Sequence, residues 1–208
     1  MSRIMKTLAP VMLIAPLVLG GCIRFGAEPP PSLLTLTPAA TVAVGETLNS
    51  ATAKSITITA PIAARELAVT RVPVRSDDTN VAYLKEAVWV EPPSQLFARL
   101  LSETISARTG RVVLTLRQSL SDPGARLGGE LRQFGIDAPA REAVVTYDAT
   151  LVRDRPPAER GARPPMTFER RRFEARVPVA EITPAAAGVA LNTAANQVAG
   201  EVADWVGR

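Results

Sequence analysis

The sequence has 208 residues, with 24 Lys and Arg against 20 Asp and Glu, a formal charge of +4, one cysteine and no histidine. Without histidine, neither a Ser-His-Asp nor a Cys-His catalytic arrangement can be assembled, and the usual zinc ligand is missing. A lone cysteine allows no disulfide within the chain, so the expectation is a non-enzymatic protein, stabilised by burial, with no cofactor and no metal.

At the start, Arg3 and Lys6 precede an apolar run from Leu8 to Leu19 that only small residues, Pro10 and Pro16 interrupt. A cationic start, a short apolar region and small residues at a cut make a secretory signal peptide. The run falls short of the roughly 20 apolar residues that span a bilayer. Its end, Leu19-Gly20-Gly21-Cys22, resembles the bacterial lipobox, in which the cysteine thiol takes a diacylglycerol and becomes the new N-terminus. Leu19 and Gly21 occupy the usual positions, and Gly20 is a less common middle residue. The plainer reading is a secreted protein with an incidental cysteine. Against it, the chain's single thiol stands at the one informative place. Residues 1–21 are thus expected to be the signal, 22–32 a lipid anchor and tether stiffened by Pro29, Pro30 and Pro31, and 33–208 one domain.

Losing Arg3 and Lys6 lowers the charge to about +2, too small an excess to argue for a nucleic-acid partner. Ile23 follows the anchor where aspartate would signal inner-membrane retention in proteobacteria, so a Gram-negative source implies the outer membrane.

Along the domain, residues 33–37 are β-prone and closed by Pro38, predicting a first strand, and 41–54 read as a loop. Ile56 and Ile58 alternate with threonines over 55–59, a strand that Pro61 stops. Another short strand is expected over 66–72, with Pro73 ending or edging it. A polar turn at 76–80 leads into an extended stretch over 81–90. Pro92 or Pro93 opens a helix to about Arg108, whose stripe is Leu96, Phe97, Leu100, Leu101, Thr104 and Ile105, with Gly110 at its C-terminal cap. Residues 111–117 alternate, 121–124 form a turn, and 131–137 pair with 143–153 through a connection holding Pro139.

A Pro/Arg/Gly-rich loop over 155–165 precedes a strand over 166–179. In that strand Phe168 and Phe173 differ in parity, which implies a bulge or a phenylalanine under a second layer. Thr183 and Pro184 start the last helix, with the stripe Leu191, Ala194, Ala195, Val198, Val202 and Trp205. The fold class expected is α+β: a largely antiparallel or mixed sheet with two amphipathic helices on one face.

Tyr83-Leu84, then Trp89, Glu91 and Pro92 entering a Leu-rich helix, resemble the ABC-type transport auxiliary lipoprotein family. Leu36-Thr37-Pro38 is similar to that family's Tyr-x-Leu-x-Pro, with Leu34 in place of the tyrosine, and a terminal helix ending near Trp205 also fits. The resemblance spans the mature chain. It implies an outer-membrane-anchored subunit facing the periplasm, working with a permease, an ATPase and an MCE-domain protein that move lipids or other hydrophobic compounds. No G-x-x-x-x-G-K-[ST] motif occurs, so ATP hydrolysis would belong to another subunit. A structural or assembly lipoprotein of the outer membrane is the competing reading.

The candidate sites are few. Cys22 is the expected lipid attachment point. Tyr83, Trp89 and Glu91 are candidates for a partner-facing patch, against the alternative that Trp89 packs beneath the following helix. Arg170, Arg171 and Arg172 form the one uninterrupted cationic triplet, set among acids that predict an ion-paired hairpin. Asp77 and Asp78 read as a turn rather than a catalytic pair.

Overall fold

The computed structural model describes residues 32–121, 124–154 and 166–208. The leader with Leu19, Gly20, Gly21 and Cys22, the centre of the predicted 121–124 turn and the 155–165 loop lie outside these.

Ten elements form the domain: β1 (Ser55–Ile58), β2 (Ile62–Ala63), β3 (Arg71–Arg75), β4 (Val81–Val88), α1 (Pro93–Thr109), β5 (Val112–Leu114), β6 (Ala125–Asp137), β7 (Glu142–Asp154), β8 (Met166–Pro178) and α2 (Pro184–Gly207). They make one mixed eight-stranded sheet with both helices packed on it. The long strands β6, β7 and β8 are antiparallel. Along the other edge of β6, the segment from 55 to 75 runs parallel as a strand broken twice. β1 pairs with its start, β2 with its middle and β3 with its end. β5 then extends the sheet from β1, in parallel, and β4 extends it from β3, antiparallel.

Alternation explains which face is covered. Ala143, Val145, Tyr147, Ala149 and Leu151 of β7 are fully buried, as are Leu131 and Phe134 of β6, and the helices close over them. The stripes read from both helices are buried residue by residue. Gly110 ends α1 in the left-handed conformation at φ 67°. At the head of α2, Thr183 accepts a hydrogen bond from the Ala186 amide, and Pro184 occupies the first turn, where no amide is needed.

Five expectations need correction. The alternation expected over 111–117 yields only the three residues of β5, and Leu116 is exposed beyond its end. Residues 33–37 contribute one bridge, Leu34 to Trp89, rather than a strand, because helix side chains take the backbone bonds that a neighbouring strand would supply. The strand expected over 66–72 begins only at Arg71, since Arg65–Leu67 makes a 3-10 turn that drops Leu67 into the core. Pro73 neither ends nor edges β3. It sits inside it, where the β3–β4 ladder shifts register and Glu86 turns to φ 61°, an irregularity that tolerates a missing amide. Finally, β8 contains no bulge. Its register with β7 is unbroken, so parity alone places Phe173 in the core and leaves Phe168 on the opposite face, 65% exposed.

Candidate functional site

Trp89 follows β4 and stands at the entrance to α1. It is 1% exposed, and its ring meets Phe134 edge-on at 5.6 Å. Phe134 leads to Phe97 at 6.4 Å, and Phe97 to Tyr147 at 5.3 Å, a chain of edge-to-face contacts through the middle of the domain. The Tyr147 hydroxyl donates to the Gly128 carbonyl at 2.6 Å, and burial pushes its pKa well above the phenol range. Trp89 Nε1 is buried with no partner among the described residues. Trp89 is therefore removed from the candidate surface patch: it lies in the hydrophobic core against Phe134 of β6.

Its two companions stay at the surface but do not meet there. Tyr83 is half-buried under the Arg71 guanidinium, 3.9 Å above the ring, a cation–π contact. Glu91 takes two hydrogen bonds from Arg99, eight residues on, at 2.6 and 2.8 Å, and that pairing holds its carboxyl below the usual range. Both contacts satisfy local charge.

The cationic triplet is divided by the pleat of β8. Arg172 and Arg170 point to the open face, while Arg171 lies on the helix face above the Phe173 ring at 5.0 Å. Arg172 is bound bidentately by Asp148 at 2.6 and 2.8 Å. Farther along, Arg176 bonds Glu174 at 2.8 Å and Glu142 at 3.3 Å, and Thr146 donates to Glu174 at 2.9 Å. On the helix face Arg153 bonds Glu169 at 2.9 Å. These residues form the ion-paired hairpin expected, and the three arginines do not make one patch. Among the described residues no group of histidine, cysteine or carboxylate side chains could hold a metal.

A strap that is not apparent from the sequence lies over the helices. Residues 37–42 cross both helices, and side chains hold their backbone. The Thr37 and Ala39 amides donate to the Asn192 and Asn196 carbonyl oxygens at 2.8 and 2.7 Å. Asn196 Nδ2 donates in turn to Thr37 O at 2.9 Å, and the Val42 amide donates to Glu103 at 2.8 Å. Upstream, Leu34 joins Val88 and Val90 through two backbone bonds. Asn192 and Asn196 lie four apart, on one face of α2. That spacing was the available signal: two amides amid alanines.

The Leu36-Thr37-Pro38 segment is thus the strap itself, and Trp89 and α1 are the core beneath. Residues 34–203 match the family described as ABC-type transport auxiliary lipoprotein component. The chain belongs to this family. A crystal structure of a Xanthomonas campestris protein of family DUF330 superposes with a TM-score of 0.63 at 18% identity, covering 84% of this chain and 94% of that one. A second crystal structure, of an uncharacterised protein, gives 0.60 at 12% identity over 84% of this chain and 99% of that one. At such identities they establish the shared fold. No curated protein matches the chain. As a member of the family, the chain is an auxiliary lipoprotein component of ABC-type transport. Among the described residues, no helix is long and apolar enough to cross a membrane.

Proposed function

We propose that the protein is held by an acylated Cys22 at the periplasmic face of the outer membrane, where it serves an MCE-type ABC system for lipids or other hydrophobic compounds. Its role there is non-enzymatic: it positions an MCE-domain protein, and through it a permease and an ATPase. The observation that carries this reading is Cys22, at the end of a stretch that resembles a lipobox, placed just ahead of the match to the transport-auxiliary family, which starts at Leu34. The intervening residues span at most roughly 40 Å, at about 3.3–3.6 Å each, so the fold would stand close to the membrane. One acyl chain gives only marginal binding, and several give firm anchoring, at roughly 0.8 kcal/mol per buried CH₂. Anchoring would raise the effective concentration of the domain for a membrane-bound partner.

The test is crosslinking in the intact envelope of the native protein and of Cys22→Ser, with the captured partners identified. Capture of an MCE-domain protein by the native chain, lost together with outer-membrane sedimentation in Cys22→Ser, is expected. Capture of outer-membrane assembly subunits instead would favour an assembly lipoprotein and overturn the transport reading. Retained sedimentation of Cys22→Ser would overturn the anchor.

A further inference from the structure

At one pole of the domain the parallel strands β1, β5 and β6 begin and both helices end. Two clefts open there. One, of about 520 Å³, is lined by Lys54, Arg108, Arg111 and Asp204 among others. The other, of about 400 Å³, is lined by Lys54, Ser55, Arg111 and Arg153 among others. Lys54 and Arg111 line both, so the two clefts adjoin at these side chains in one basic depression of the surface.

The strand register makes this neighbourhood. Ser55 and Val112 are parallel partners, and the Val112 amide donates to Lys54 O at 3.0 Å. The preceding residues, Lys54 and Arg111, therefore stand side by side. Two of the four cations are neutralised locally: Arg108 by Asp204 at 2.8 Å and Arg153 by Glu169 at 2.9 Å. Arg111 is not. It is 7% exposed, and among the described residues its guanidinium makes one hydrogen bond, from Nη2 to the Val206 carbonyl at 3.1 Å, and pairs with no carboxylate. Lys54 has no side-chain partner among the described residues.

Capping of the α2 C-terminus explains part of this arrangement, since Arg153 also donates to the Trp205 and Val206 carbonyls. Capping leaves the rest without a reason. Arg153 already serves those carbonyls, and a second buried guanidinium beside it costs desolvation and repulsion. Burial, and then the Arg153 charge, push the Arg111 pKa below its ordinary value, as an unmatched cation requires.

We propose that this depression is a binding site for a phosphate group, with Arg111 and Lys54 as its principal contacts and Arg153 at its wall. A guanidinium fork beside a compact ammonium suits a tetrahedral phosphate group with several acceptor oxygens, and the two uncompensated cations suit its one or two negative charges. The bearer is either a phospholipid headgroup or a soluble phosphate. The site stands independently of the transport role.

The experiment uses the full-length protein in uncharged detergent, titrated with inorganic phosphate against chloride at constant ionic strength and read by calorimetry. Lys54→Glu changes an exposed, unpartnered side chain, so its fold is checked by an unchanged melt. Lys85→Glu alters net charge equally at an exposed bulge of β4. Saturable phosphate binding that Lys54→Glu weakens by about tenfold or more, and Lys85→Glu leaves intact, is the expected result. Competition by dihexanoyl-phosphatidylglycerol then assigns the site to a lipid headgroup, and its absence assigns it to a soluble phosphate. Binding that does not saturate, or that the two variants weaken alike, would overturn the proposal.

Discussion

Asp148 and Arg172 are direct cross-strand partners whose side chains close a bidentate pair on the open face of the sheet. The carboxylate comes from a strand flanked on both sides and is largely covered, whereas the guanidinium is mostly exposed. The Arg172 bond, aided by the charges of Arg172, Arg132 and Arg170, holds the Asp148 carboxyl below its ordinary range despite the opposing effect of burial.

A depressed folded-state pKa gives stability that is fully present above the unfolded carboxylate range and is lost as pH falls through the folded value. Asp148→Asn is therefore expected to lower stability at neutral pH by about 1 kcal/mol, the upper end for a pair open to solvent on one side. The difference from the native protein should shrink steadily in acid. Chemical denaturation across pH checks this, and a gap independent of pH would contradict it.

Asp77 presents a simpler titration. In the turn between β3 and β4 it accepts from the Thr79 amide at 2.8 Å, the Asn80 side chain at 2.9 Å and the Thr79 hydroxyl at 3.0 Å. These donors hold its pKa down to about 2, against an ordinary 3.8. Its contribution to the turn is present above the ordinary value and disappears as pH falls toward 2. Carboxyl-carbon NMR should show Asp77 titrating well below the ordinary aspartate value of 3.8, and a midpoint at that value would refute the turn geometry.

Two glycines separate backbone constraint from mere closeness. Gly129 of β6 has φ 142°, and a Cβ there would stand 2.0 Å from the Asp148 carbonyl oxygen, a backbone atom that cannot yield. Gly129→Ala should cost more than about 3 kcal/mol or prevent folding, through strain and displacement of the β6–β7 ladder. At Gly188 of α2 the Cβ would meet Leu34 Cδ2 at 2.8 Å, the movable end of a side chain. There the helix-propensity gain of up to about 1 kcal/mol offsets the adjustment, and Gly188→Ala should be nearly neutral. Thermal melts of the two variants check the contrast.

The strap offers a local test. Replacing Asn192 and Asn196 by alanine removes the acceptors of the Thr37 and Ala39 amides while leaving the core stripe of α2 intact. Hydrogen exchange of residues 37–42 should accelerate by about tenfold or more, with little change in β6 and β7. Unchanged protection there would mean that Leu34, Leu36 and the Val42–Glu103 bond suffice to hold the segment.

The sequence by itself determined the local periodicities. The apolar spacing of α1 and α2, the alternation of β7, the caps at Gly110 and Thr183, and the exclusion of histidine chemistry are properties of neighbours along the chain. So were the short motifs that carried the family resemblance. Tertiary structure decided which edges pair and which charges meet. Nothing within 55–75 announces that three short segments share one side of β6, or that Pro73 is tolerated at a register shift. Parity told Phe168 from Phe173 but not that the face beyond β8 is open. The burial of Trp89, the division of Arg170, Arg171 and Arg172 between two faces, and the meeting of Lys54 with Arg111 all depend on strand register. Register is set by contacts between distant residues, and a pattern of period 2 or 3.6 carries no record of its partner.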